Sequence, residues 1–156
     1  MKKHIPTVLA VYIAFVFIQS LFFKFSGSEE TVIIFNTIGT WMADIGLPER
    51  LAGGFAVHGG LAVGVFELIA SALVLVPRTR VWGALMALMV ISGAIFFHLA
   101  TPLGVVRVVD AAGNTDGGVL FMMACGVWLS SAALIYLHRQ RLQAVLGARA
   151  APSAEA

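Results

Sequence analysis

Apolar residues gather into four long stretches, and most polar residues fall between them. The first runs from Ile5 to about Phe25, the second from about Phe55 to Val76, the third from Val81 to Ala100 and the fourth from about Gly117 to Leu137. A helix needs about 20 apolar residues to cross a hydrocarbon core some 30 Å thick, so each stretch predicts one membrane span. The boundaries carry their own chemistry. Pro77, flanked by Arg78 and Arg80, stops the second stretch, and Thr101-Pro102 stops the third. Proline cannot continue a helix, and arginines anchor a helix end among headgroups. Asp116 stands where a cap for the fourth helix is expected, and His138-Arg139-Gln140-Arg141 marks the far interface of that span.

The first stretch follows Met1-Lys2-Lys3-His4, the charged start of a secretion signal, and Ser26-Gly27-Ser28 has the small residues of a cleavage site. Its apolar length exceeds the 7–15 or so residues of a signal core, which predicts an uncleaved anchor. Between the first two spans, Thr31 to Met42 and the next few residues place Ile34, Ile38, Trp41 and Ile45 at helical spacing. The expectation is a short amphipathic helix lying on the outer membrane surface. The segment Gly104 to Asp110, before a glycine-rich turn, reads as a short extended ribbon. The whole is an all-α, integral membrane four-helix bundle over residues 1–143, followed by a disordered cytoplasmic tail, 144–156.

Composition sharpens this. Hydrophobic residues make up 60% of the chain and charged residues 12%, against about 25% charged in soluble domains. A net charge of +2 without a basic patch argues against nucleic acid as a partner. The basic residues instead set orientation. Lys2, Lys3, Arg78, Arg80, Arg139, Arg141 and Arg149 lie on one side of the predicted spans, and only Lys24, Arg50 and Arg107 on the other. The positive-inside rule then predicts both termini inside (N-in/C-in), in a bacterial-type inner membrane. Cys125 is the only cysteine, which excludes an internal disulfide, a CxxC pair and a cysteine metal cluster.

Candidate chemistry lies at four ionisable positions. Glu67 interrupts the apolar run LAVGVFELIASALVLV, and a carboxylate in a span costs roughly 2.5–3.5 kcal/mol even on insertion scales, so it faces a bundle interior or cavity. Lys24 and His98 fall at the outer ends of the first and third spans, and His58 near the outer start of the second. His58 lies about 13 Å from Glu67 along a helix rising 1.5 Å per residue. Two and a half turns separate them, so they point from opposite faces. The expected site is an outward-opening polar pocket with Glu67 at its floor, able to hold a quinone head group, relay protons or bind a small polar substrate. The matching depth of His58 and His98 admits a haem between them, but two histidines at one depth arise easily by chance, and haem is disfavoured. The bland alternative is a snorkelling Lys24, interfacial histidines and a paired structural acid. Gly60 and Gly64 form a GxxxG that permits close helix approach, which leaves a homo-oligomer open.

With these pieces in place, the layout resembles the DoxX family of small four-span membrane proteins. The matching residues are Phe23-Lys24-Phe25-Ser26-Gly27 closing the first span, Glu67 within FELIASALVLVPRTR, and a third span rich in Ala, Met and Gly ending at Phe97-His98. A glycine common after the intramembrane acid is replaced here by Ala70-Ser71-Ala72, which marks a divergent member. The resemblance implies a redox-associated subunit, since the family takes its name from a subunit linked to thiosulfate:quinone oxidoreductase, and other members join complexes that handle thiols and oxidants. It carries over Lys24, Glu67 and His98 as the functional positions, and gives His58 no support. Glu67 would exchange a proton or accept a hydroxyl hydrogen bond, His98 would assist, and Lys24 would supply positive charge near a quinone oxyanion. A membrane or periplasmic redox protein would be the partner. Direct thiol–disulfide exchange is disfavoured for want of a second cysteine. Two further classes remain open: a non-catalytic scaffold using the outer amphipathic segment, and, less favoured, a small transporter.

Overall fold

The computed structural model describes residues 4–140, 142 and 143. Within them the chain forms five helices: α1 (Ile5–Ser26), α2 (Glu29–Asp44), α3 (Glu49–Leu75), α4 (Arg80–Ala100) and α5 (Val119–Leu137). Four of them, α1, α3, α4 and α5, are long and apolar enough to cross a membrane. The protein is an all-α, multi-pass membrane protein built on a four-helix bundle. The tail 144–156, with Lys2, Lys3, Arg141 and Arg149, lies outside the described residues.

Each joint follows from its local chemistry. Pro6 opens α1, where its missing N–H costs nothing. Gly27 closes α1 at φ 62°, a left-handed conformation that glycine adopts without strain. Ser28 then caps α2, its Oγ accepting from the Thr31 amide at 3.3 Å. Only two residues therefore separate α1 from α2. Between α3 and α4, Arg80 departs from expectation. It is 8% exposed, and it donates from Nε to the Val74 carbonyl at 3.1 Å. The last carbonyls of a helix lack intrahelical donors, and satisfying one of them draws this arginine inward rather than out to headgroups.

α3 is the centre of the packing, touching α1, α2 and α4, while α5 closes the bundle against α4 and α1. At 27 residues it is longer than the predicted span and begins at Glu49 rather than Phe55. Its extra turns serve α2. Ala52 and Ala56 meet Gly39, and Gly59 and Gly60 meet Phe35. The buried face of α2 is therefore Thr31, Phe35, Ile38 and Gly39. The isoleucine stripe is only partly used, with Ile45 at 55% exposure. Close approach to the small residues of α3 outweighs bulk apolarity in orienting α2. The GxxxG is likewise filled within the chain, Gly60 by Thr31 and Phe35, and Gly64 by the Phe25 ring. Trp41 packs edge-on against Phe96 and Phe97 of α4, at 6.3 and 6.4 Å.

The core proper joins Ala10, Ile13, Ala14 and Phe17 of α1 to Ala70 and Val74 of α3, Ala84 and Ala87 of α4, and Val127 and Leu134 of α5. The expected ribbon is present in reduced form, as a single antiparallel bridge between Val108 and Thr115 closed by a turn.

Candidate functional site

On α1, Ser20 and Lys24 are four residues apart and so share a face one turn apart. Both meet Glu67 of α3. Lys24 Nζ donates to Glu67 Oε2 at 2.8 Å, and Ser20 Oγ donates to the same oxygen at 2.8 Å. Lys24 also donates to Ser20 Oγ at 2.9 Å, closing a three-membered network. The side chains of Lys24 and Glu67 are 15% and 7% exposed. The cost of a carboxylate in the bundle is thus met by an ammonium and a hydroxyl from a neighbouring helix.

A second group of charges lies where the α4–α5 connection folds back over the bundle. Arg107 is 4% exposed and pairs through Nη2 with Glu30, in the first turn of α2. Its Nε is enclosed and has no hydrogen-bond partner among the described residues. Glu29, beside Glu30, accepts from the Ala111 amide at 2.7 Å. The start of α2 therefore holds the connection at two points. Asp116 holds it at the other end, accepting from the amides of Arg107 at 3.0 Å, Gly118 at 3.1 Å and Leu120 at 3.2 Å. The expected capping role is thus shared: Gly118 takes the cap position and Asp116 satisfies a first-turn amide from two residues before it. Burial raises the Asp116 carboxyl, but these amides and the nearby Arg107 charge outweigh it and hold the group below its ordinary range. Asp110 is lowered too, chiefly by the Asn114 side-chain amide and then by the Asn114 N–H.

His98, near the end of α4, holds the start of the same connection. It is 8% exposed, and its Nδ1 lies 2.6 Å from the Gly104 carbonyl oxygen. A carbonyl only accepts, so Nδ1 carries the hydrogen and Nε2 of the neutral ring is an acceptor. Its ring also meets Phe121 edge-on at 5.6 Å.

Seven of these residues border one cavity of about 520 Å³. Lys24, Ser20 and Glu67 line it together with His98, Glu30, Arg107 and Asp116. Apolar side chains form most of the remaining wall, among them Phe17, Phe23, Phe35, Phe55 and Phe97. A space of this size, largely apolar with a few convergent polar groups, fits a small amphipathic molecule.

Of the four residues singled out from sequence, the structure brings Lys24, Glu67 and His98 to this cavity and leaves out His58. His58 is exposed and is not among the lining side chains. As the two-and-a-half-turn separation requires, it leaves α3 on the side away from Glu67, and it shares no space with His98 in which a haem would sit. Three participants escaped the sequence reading. Ser20 carried a usable signal, its spacing of four from Lys24. Arg107 and Glu30 carried none, because 77 residues separate them and only the folded connection makes them a pair. Among the described residues no cluster of histidine, cysteine and carboxylate groups is placed to hold a metal ion. Comparison of the chain with protein-family models, curated proteins and solved structures finds no match to any of the three.

Proposed function

We propose that the protein is a DoxX-like, redox-associated membrane subunit that binds a quinone head group in the cavity beside Lys24 and Glu67. The observation that carries this reading is the joining of a buried ammonium–carboxylate–hydroxyl network to an apolar-walled cavity of small-molecule size. A quinone supplies a two-electron, two-proton couple, with electrons exchanged through a partner redox protein. The chain's own residues supply the rest. Lys24 holds positive charge where an oxygen of the head group gains electron density. Glu67, whose bonds from Lys24 and Ser20 all reach Oε2, is the proton-exchanging carboxyl. His98, with Nδ1 committed to Gly104, offers Nε2 to a hydroxyl hydrogen. Both termini are placed inside, so that the cavity and the α4–α5 connection lie on the outer side of a bacterial-type inner membrane.

The scaffold alternative draws on the outer amphipathic segment and the acidic loop, and part of that segment packs against α3 and the α4 aromatics. The test is saturable binding of a tritiated short-chain ubiquinone to the detergent-purified protein, by scintillation proximity. Glu67→Gln and His98→Ala are expected to weaken it by about tenfold or more, the worth of one good hydrogen bond to a charged or buried group. Unchanged binding in both variants would overturn the quinone reading.

A further inference from the structure

The seam between α3 and α4 is closed at two levels and open between them. Nearest their shared turn, Gly83 lies against the backbone of Leu73 and Val74. Nearer the α4–α5 connection, the Phe55 ring of α3 meets the Phe97 ring of α4 at 5.7 Å. Between these levels stand Phe66 of α3 and Met89 and Gly93 of α4, all of which line the cavity. Phe66 lies about three turns from Phe55 and so on the same, α4-facing side of its helix. A Cβ added to Gly93 would meet nothing within 4 Å. Phe66 is 51% exposed and Met89 77%, so both border the cavity and the outer surface of the bundle at once. The cavity wall is breached there.

Depth says what the breach opens onto. Phe66 stands nine residues before the end of α3, and Met89 nine residues after the start of α4. At 1.5 Å per residue both lie about 14 Å from that end, near the middle of a hydrocarbon core about 30 Å thick. The other two exposed lining side chains, Phe23 and Val119, sit at helix ends beside the connection. Phe66 also adjoins Glu67, so a head group held by that carboxylate has the breach beside it. A cavity of about 520 Å³ suits a head group, whereas a chain of several isoprene units must leave it. Leaving into hydrocarbon exposes none of that chain to water.

We propose that the cavity takes a membrane-dissolved quinone whose long apolar tail passes sideways into the bilayer between α3 and α4, past Phe66 and Met89. This deepens, and rests on, the quinone reading of the same cavity. The α4–α5 connection then stays fastened over the head while the ligand enters and leaves through the seam.

The experiment is photolabelling of the protein in phosphatidylcholine nanodiscs by a ubiquinone whose alkyl chain carries a diazirine a few carbons from the ring. Label that excess decylubiquinone displaces is expected on the α3 and α4 peptides around Phe66 and Met89. Displaceable label confined to residues 101–118, or to the peptides around Phe23 and Val119, overturns the proposal while the quinone reading stands. Label that decylubiquinone displaces nowhere overturns both, the α3–α4 seam then holding only bulk lipid. The labelling needs no variant, but Met89→Trp sharpens it, because an exposed side chain is replaced and the core is untouched. Filling the seam should lower the preference for decylubiquinone over the tailless ubiquinone head about tenfold, in competition against the tritiated short-chain ubiquinone. An unchanged preference, or equal losses for both compounds, also counts against a tail in this seam.

Discussion

The bundle solves helix adhesion in two ways, and α4 shows both on a single helix. Near its start, Gly83 lies so close to α3 that an added Cβ would fall on the backbone of Leu73 and Val74. Ten residues further on, Gly93 borders the cavity, and an added Cβ would meet nothing within 4 Å. The half beside the α3–α4 turn is closed by small side chains, Ala70, Ala84 and Ala87 among them, each with no exposed surface. The other half is held by rings and ion pairs, with Phe35, Phe55 and Phe97 in successive tilted ring contacts and Lys24–Glu67 and Arg107–Glu30 bridging helices and connection. Apolar surface alone gives helices little reason to associate in lipid, because lipid tails are equally apolar. Close contact supplies that reason in one half. In the other, polar pairs hold the helices without filling the space between them, and a cavity remains.

The largest way to break this contrast is to remove one partner of the open half's main pair. Lys24→Met leaves Glu67 without its cation, a change worth about 3–5 kcal/mol for a buried pair. The lower end is expected here, because Lys24 is 15% exposed. Thermal unfolding in mild detergent should show a large drop, and adding Glu67→Gln to Lys24→Met should restore most of it. A double variant no more stable than the single one would mean that the pair is not what joins α1 to α3. The two glycines of α4 sharpen the contrast directly. Gly83→Leu must part α3 from α4 and is expected to cost about 2–3 kcal/mol. Gly93→Leu should be neutral or slightly stabilising, since leucine is the better helix former. The same change projects into the cavity, so it should weaken quinone binding about tenfold or more. Equal stability losses at the two positions would erase the distinction between the halves.

In the closed half the spans and the Pro77 stop were legible in the sequence because span length, apolarity and proline act locally, while the inward turn of Arg80 and the close approach at Gly83 were not. Glu67 and Lys24 were legible for the same reason, as charges whose burial needs an explanation wherever they fall. The open half was legible only in part. A short surface helix over Thr31 to Met42 was expected and α2 spans Glu29–Asp44, but its buried face is set by Ala52, Ala56, Gly59 and Gly60 of another helix, and no periodicity within α2 contains that information. The Arg107–Glu30 pair depends on how an 18-residue connection folds back, and Asp116 reads in sequence as a helix cap with no hint that it also fixes Arg107. His58 shows the converse. Depth alone paired it with His98, whereas the rotation of α3 that buries Glu67 turns it outward.

The smallest effect tests whether the connection belongs to the open half's framework. Asp116 accepts from three backbone amides through both oxygens; Asp116→Asn keeps its outline but removes the charge and turns one accepting oxygen into an NH2 donor, at a cost of about 1 kcal/mol. Because its carboxyl is held below the ordinary value of 3.8 in the folded protein, this stabilisation is fully present above that value. It is lost as pH falls from there through the lowered folded value, when the folded protein also takes up the proton. Asp110 shifts in the same direction, but it is present in both proteins and cancels from their difference. Melting temperatures of the unmodified protein and Asp116→Asn should therefore differ at pH 7 and converge towards pH 3. A gap that persists unchanged at low pH would assign the loss to side-chain shape rather than charge. No gap at pH 7 would mean that Asp116 does not fasten the connection, leaving Glu29, Glu30 and His98 to hold it over the cavity.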